Sequence, residues 1–539
     1  MSNSVLRGTM LLTGANYTSK ILGMLYVIPF NMLVGESGGA LYAYAYNPYQ
    51  IFLTVSSLGI PMAMAKFVAK YDTLEDHATK QAMFRSGMMV MVLMGLIGFL
   101  IMFFSAEWLA QIFITNDDLT NSVSDVTFVI QMVSFALLVV SPMSLLRGYF
   151  QGHQSMGPSA ISIVVEQIVR IVFLLAGAFI VINVLNGTVR LAVGVAAFAA
   201  FIGAIASSLV LVRIYQKRRP YFEKELDSEE ANRTIPYKDM YQELLAYAGP
   251  FVLVGIATPL YQMVDQFTFN RAMSQIGLAE QSEQLLSVII LYGHKLVIIP
   301  VTLAIGLAMA VLPAITKSFT EQKPAEYKNY ISQALLIIVL LVFPASIGLS
   351  IVAEEVYGAL YNVDSSVNFA GELLTYYAPI ALFLALFMVS SSMLQGINRQ
   401  NFALVSLGFG LLIKIALNFP LIYVFEAKGA VFATGLAVLT ASSINLLVIY
   451  KVTRFKIRSL YRRSLLIIIL TAVMSVVVIF FKWLAGLPFG EEASKIKFIV
   501  QLAVAVPIGG YVYFWLAYKT TLLDRLFGDR VKRFAKLFP

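Results

Sequence analysis

Apolar residues run through the chain in long uninterrupted blocks separated by short polar segments. Blocks of spanning length fall at approximately 9–33, 40–65, 86–105, 124–146, 158–183, 190–212, 244–269, 286–315, 328–352, 371–394, 401–425, 429–450, 464–486 and 498–518, each near the roughly 20 residues a helix needs to cross a bilayer. Continuous apolar character over such lengths predicts helices, which satisfy their own backbone hydrogen bonds in lipid. The period-two alternation of a membrane β-barrel is missing. No small-residue cleavage site follows a short apolar core at the start, so span 1 is expected to be retained.

Composition agrees. Of 539 residues, 59% are hydrophobic and 13% charged, about half the charged share of a soluble domain, and the mean hydropathy is +0.79. Several soluble domains are thereby excluded in favour of an all-α polytopic membrane protein of about 14 transmembrane helices. The chain has no cysteine, which removes disulfides, thiolate metal sites and cysteine nucleophiles. Its net charge of +9 does not imply nucleic acid, because the cations sit in short loops and not on one soluble face. Fourteen spans put both termini on one side. Lys and Arg number about 29 on that side and about five on the other, which predicts cytoplasmic termini. The longest polar segment, 213–243, carries Lys217, Arg218 and Arg219 and then acids from Glu223 to Glu230. It is expected to link an N-lobe over 1–212 to a C-lobe over 244–450, with 451–539 forming two further helices and a basic cytoplasmic tail.

The two lobes repeat. Leu58-Gly59-Ile60-Pro61-Met62-Ala63, followed by Lys70, matches Ile305-Gly306-Leu307-Ala308-Met309-Ala310, followed by Lys317. Gln151-Gly152 with Arg170 matches Gln395-Gly396 with Lys414. Both offsets are roughly 245 positions, six spans apart, so two pseudo-symmetric units share one orientation around an axis along the membrane normal. Repeat-built transporters bind substrate in the central cavity between such units.

Charges inside spans mark candidate chemistry, because each costs about 2.5 kcal/mol or more at the bilayer centre. They are Lys20 in span 1, Glu166 and Arg170 in span 5, Asp265 in span 7, His294 and Lys295 in span 8, and Lys414 in span 11. Four cations against two carboxylates suit an anionic substrate such as a phosphate or diphosphate. Glu166 and Arg170, four apart on one helical face, are expected to pair with each other. Asp265 and Lys414 can do the same within the second lobe, and His294 can be a satisfied interior histidine. Lys20 and Lys295 have no opposite charge within a turn, which makes them the leading substrate contacts. Lys482, beside Trp483, reads as an interfacial anchor. Three histidines without ligand spacing and no phosphate-binding Gly-Lys-Ser/Thr loop argue against a metalloenzyme or an ATPase. No cofactor is expected. A membrane-embedded lipid-modifying enzyme remains the alternative from another class.

Together these residues resemble the MOP (multidrug/oligosaccharidyl-lipid/polysaccharide) exporter superfamily, and within it the MurJ and SpoVB-like branch, over nearly the whole chain. Ser19-Lys20-Ile21-Leu22-Gly23 is similar to that branch's Ser-Arg-Val-Leu-Gly segment, and Tyr292-Gly293-His294-Lys295-Leu296 with Pro300, Gly306 and Leu312-Pro313 to its Tyr-x-x-Arg-Leu…Pro…Gly…Leu-Pro pattern. The resemblance implies that Lys20 and Lys295 are cavity cations. It also implies a monomeric flippase of the bacterial plasma membrane, moving an undecaprenyl-diphosphate-linked glycan, lipid II above all, by alternating access. Flippases for teichoic-acid or capsular precursors and MATE-like drug antiporters are its other implied readings. Tyr26 departs from the pattern, standing where many members have a second arginine, and Arg170 or Lys414 can compensate. Some members hold sodium through an acid in span 7 and polar groups in spans 11 and 12, roles that fall on Asp265, Asn418 and Thr434. Lys414 precedes Asn418 by one turn on the same face, so its ammonium can replace that metal.

Overall fold

The computed structural model describes residues 3–55, 60–74, 76–115, 119–227, 252–361, 367–455, 457–490 and 494–523, and among them it contains helices and no strand. Eleven described helices are long and apolar enough to cross a membrane, or twelve when the bent pair Leu11–Leu25 and Val27–Thr54 counts as one span. The differences from fourteen fall at spans 1, 2 and 7. Around spans 1 and 2, α1 (Asn3–Leu25) and α2 (Val27–Thr54) meet at a 40° bend. Within α2 the chain breaks again at Gly35, whose φ of 68° and ψ of −172° suit glycine because L side chains strain that backbone conformation. Span 7 is represented by α10 (Ala257–Gln275), whose Gln262, Asp265, Gln266 and Asn270 dilute its apolar character. Residues 244–251 of that span lie outside the described residues.

Packing divides the chain into two compact units, 1–271 and 272–539. The first holds α1, α2, α3 (Ile60–Thr73), α4 (His77–Phe104), α5 (Ala106–Phe113), α6 (Val123–Ser134), α7 (Ala136–Gly152), α8 (Met156–Phe179), α9 (Val189–Asp227) and most of α10. Its core includes α9, whose inner face is lined with alanines such as Ala192, Ala196, Ala200 and Ala204. Small residues let membrane helices approach closely. At Gly203 a Cβ would lie 2.8 Å from the Glu166 carbonyl oxygen and 2.9 Å from Arg170 Cβ, so α9 presses on α8 where the two charged residues sit.

The sequence ends span 6 at 212, but α9 continues as helix to Asp227. Arg218, from the expected linker, donates to Ser155 Oγ at 2.7 Å and lies over the Phe150 ring. The beginning of the linker is thus a helical extension held to the α7–α8 turn; its remainder, with the acids beyond Asp227, lies outside the described residues. The division at 271 also gives α10 to the first unit. The reason is polar. Asn47 of α2 donates to Gln266 Oε1 (3.0 Å) and to the Pro259 carbonyl (3.3 Å), Gln266 donates to the Ala43 carbonyl (2.8 Å), and Asn270 donates to Tyr44 Oη (2.5 Å) and the Phe113 carbonyl (2.9 Å). Amides buried this deeply in an apolar setting must find partners, and here α2 and α5 supply them.

The second unit contains α11 (Ala279–Ile290), α12 (Tyr292–Thr320), α13 (Pro324–Ile351), α14 (Ala353–Leu360), α15 (Val367–Tyr377), α16 (Ile380–Gly396), α17 (Gln400–Phe425), α18 (Ala427–Thr453), α19 (Ile457–Gly486) and α20 (Lys495–Lys519). The last two helices, outside the sequence repeat, are integral to this unit. Leu336 and Leu340 of α13 pack with Ile467, Met474 and Tyr513, and Tyr513 Oη donates to the Leu340 carbonyl at 2.7 Å. Lys482 is not the interfacial anchor its neighbour Trp483 suggested. Its ammonium pairs with Glu355 at 2.8 Å and donates to the Ile351 carbonyl at 3.0 Å, fastening α19 to the α13–α14 corner. A carboxylate as enclosed as Glu355, 4% exposed, holds a lysine that would otherwise reach for the surface.

Candidate functional site

Each unit carries two of the intramembrane cations. In the first, Lys20 lies on the exposed side of α1, with no hydrogen bond or ion pair to any other described residue. An ammonium so placed in an apolar helix is available to a ligand.

Arg170 is different. It is 9% exposed, donates to Tyr42 Oη at 3.0 Å, and sits with its guanidinium 4.9 Å from the centre of the Tyr46 ring. Tyr26 and Tyr49 are also within its electrostatic reach. Tyr26, which takes the place of a second span 1 arginine, is therefore next to an arginine brought in from α8. A guanidinium offers five N–H donors, and tyrosine supplies both an acceptor oxygen and a cation-binding ring face.

The expected Glu166–Arg170 pair is not formed. Glu166 is bound by Arg147, whose Nη2 donates to Glu166 Oε2 at 2.6 Å and to Ser207 Oγ at 2.9 Å while its Nε donates to Ser162 Oγ at 2.8 Å. Helical spacing permitted the local pair; a forked guanidinium at the end of α7 offers Glu166 better geometry, and it satisfies two hydroxyls as well. This leaves Arg170 without a carboxylate among the described residues. Arg147 reads in the sequence as a loop cation, and nothing in its spacing to Ser162, Glu166 and Ser207 reveals the network. Replacing Arg147 with methionine is expected to destabilise the protein by about 2–3 kcal/mol, because the half-buried Glu166 loses its partner. Thermal unfolding of the purified variant measures this, and Glu166→Gln in the same background should recover part of the loss.

In the first unit Asp265 is also buried, 1% exposed, on α10 beside the Gln266 that binds α2.

In the second unit, Lys295 and His294 occupy the first turn of α12, both half-buried. The Lys295 N–H bonds the Leu291 carbonyl at 3.0 Å, carrying the helix across the α11–α12 bend. His294 Nδ1 shares a 2.7 Å hydrogen bond with Tyr377 Oη, as a satisfied interior histidine would. Lys414 is fully buried. Its Nζ donates to the Ala430 carbonyl at 2.9 Å and to Thr434 Oγ1 at 2.7 Å, joining α17 to α18. Asn418, one turn on, is fully buried as well. Lys414 and Thr434 are thus brought together as their positions on spans 11 and 12 suggested. Among the described residues no cluster of three or more His, Cys, Asp or Glu side chains is arranged to hold a metal.

Comparison with known proteins gives this architecture a family. Residues 5–319 match the family described as Polysaccharide biosynthesis protein, and residues 250–420 match MatE. The chain is 40% identical over 536 residues to the lipid II flippase MurJ of Bacillus subtilis (strain 168), covering 99% of this chain and 98% of that one. It is 24% identical over 426 residues to the stage V sporulation protein B of the same organism, covering 77% of each. Among solved structures, a lipid II flippase MurJ in an inward closed conformation superposes with a TM-score of 0.65 at 14% identity, over 96% of this chain and 99% of that chain. A multidrug resistance MATE family transporter of the MOP superfamily, in its inward-facing conformation, gives 0.64 at 14% identity over 81% and 95%. The family match, the full-length similarity and the helical fold converge: this multi-pass membrane protein belongs to the polysaccharide biosynthesis family of the MOP superfamily, in the branch that contains MurJ.

Proposed function

We propose that the protein is a flippase carrying an undecaprenyl-diphosphate-linked cell-wall precursor, lipid II, from the inner to the outer leaflet of the bacterial plasma membrane for peptidoglycan synthesis. The observation that carries this reading is Lys20, a cation in an apolar helix with no partner among the described residues, in a chain similar to MurJ along its whole length. A diphosphate supplies the anion that such a lysine lacks.

Lys295, Arg170 and Lys414 add positive charge to the cavity in this reading, so the head group is drawn in by charge while the polyprenyl tail stays in lipid beside α19 and α20. In this reading alternating access exposes the bound head group on each side in turn. An inside-negative potential favours outward release by about 2.3 kcal/mol per charge per 100 mV. Cytoplasmic termini follow from the Lys and Arg bias of the loops, and a single chain provides both lobes, so a monomer suffices. The protein performs no bond chemistry; the cargo leaves as it entered.

The MatE similarity of residues 250–420 favours a second reading, a drug or cation antiporter. A cation-rich interior opposes it, since like charge disfavours a cationic drug. The test is transfer in proteoliposomes containing the purified protein, with lipid II, a lipid-linked teichoic-acid precursor and a cationic dye as parallel cargoes. Lipid II should cross and be recovered unchanged by mass spectrometry. Transfer of the teichoic precursor alone would reassign the cargo, dye transport alone would favour the antiporter, and a chemically altered lipid would point to an enzyme.

A further inference from the structure

Some members of the family hold a sodium ion through an acid in span 7 and polar groups in spans 11 and 12, and the span 11 and span 12 residues, which lie together in the second unit, can be tested for it. They do not fit. Lys414 is 0% exposed, and its ammonium already sits on the oxygens that a cation would use, the Ala430 carbonyl at 2.9 Å and Thr434 Oγ1 at 2.7 Å. The Thr434 hydroxyl proton is committed elsewhere, since that group donates to the Ala430 carbonyl at 3.0 Å, so its lone pairs are what face the lysine. A free sodium ion on the same oxygens would stand within a few ångströms of a fixed positive charge in a poorly screened interior, where like charges repel strongly.

We propose that Lys414 is a covalently tethered cation that takes the place of an exchangeable alkali ion in the second unit, so that neither stability nor transport responds to sodium. The sequence repeat makes the arrangement coherent: Lys414 occupies the position that Arg170 holds in the first unit, and both are buried cations that donate to a hydroxyl group. A tethered ammonium binds at no cost in ion concentration and cannot dissociate, so it fixes the α17–α18 contact permanently. Any electrochemical driving force must then come from the charge of the cargo or from another ion.

This inference rests on the transport reading only for its transport arm. The thermal unfolding of the full-length purified protein is measured in NaCl, KCl and choline chloride at matched ionic strength, for wild type, Lys414→Asn and Lys414→Met. Wild type should unfold at the same temperature in all three salts. Lys414→Asn, which removes the ammonium and adds an amide oxygen, should gain a saturable stabilisation specific to sodium; Lys414→Met, with an apolar side chain of similar length, should not. In proteoliposomes the wild-type rate should be equal in sodium and potassium, and that of Lys414→Asn should rise with sodium. A saturable, sodium-specific stabilisation of the wild type would overturn the proposal, as would a Lys414→Asn variant that folds but ignores sodium. If Lys414→Asn does not fold, the wild-type salt series decides alone. Absence of lipid II transfer in every salt would sink the flippase reading and leave the thermal result standing.

Discussion

Replacing Lys20 with alanine is expected to lower lipid II transfer by about 10- to 100-fold, since a hydrogen bond to a charged group contributes about 1.5–3 kcal/mol. The fold itself should be untouched. Lys20 is exposed, and it makes no hydrogen bond or ion pair with any described residue, so its removal breaks nothing within the protein. Lys20→Arg should keep most of the activity, because the charge and a donor remain although the geometry changes. Lys295→Ala should give a loss of similar size in the second unit. Transfer rates in proteoliposomes, normalised to reconstituted protein and read beside the thermal unfolding of each variant, check all three. A Lys20→Ala protein that transfers lipid II at the wild-type rate would remove this lysine from the site.

Arg170→Met should separate function from stability. With no carboxylate partner among the described residues, this buried guanidinium is held by one tyrosine hydroxyl and the face of another ring, and that compensates only part of its lost hydration. Exchanging it for an apolar side chain of similar length removes the penalty, so the unfolding temperature should hold or rise. Transfer should nevertheless fall by about tenfold or more, because an uncompensated charge in a low-dielectric setting attracts an anion over several ångströms. The same substitution at Arg147 has the opposite signature, since it strands Glu166 and destabilises the protein. Arg170→Lys should fall between wild type and Met in transfer. A loss of stability in Arg170→Met equal to that in Arg147→Met would mean that Arg170 is only structural.

The long apolar blocks made the membrane class and the helical fold readable, because a bilayer demands a continuous run and little else. The same logic failed at α10, where amides serving α2 and α5 dilute the pattern, and along α1–α2, where a bend and Gly35 interrupt it. Lys20 was legible as a lone charge with no neighbour one turn away. Partner choice was not. Helical spacing offers Glu166 a cation at Arg170, but the guanidinium that takes it comes from α7, nineteen residues earlier in the chain, and only tertiary packing brings it there. Tyr42, Tyr46 and Tyr49 around Arg170 carried no signal either, since aromatic residues are common in apolar helices; only Tyr26 stood out, as a departure from the family pattern. Lys482 was misread because its neighbour is a tryptophan; the buried Glu355 that binds it lies on a different helix.

The most direct test of the central claim is the exposure of lipid II on the outer leaflet of bacteria depleted of their own lipid II flippase. The cells would express this protein, Lys20→Ala or Lys295→Ala, with equal membrane levels verified. Wild-type protein is predicted to restore exposure, and both substitutions to restore far less of it. Wild-type protein present in the membrane that restores no exposure would contradict the assignment of lipid II as cargo.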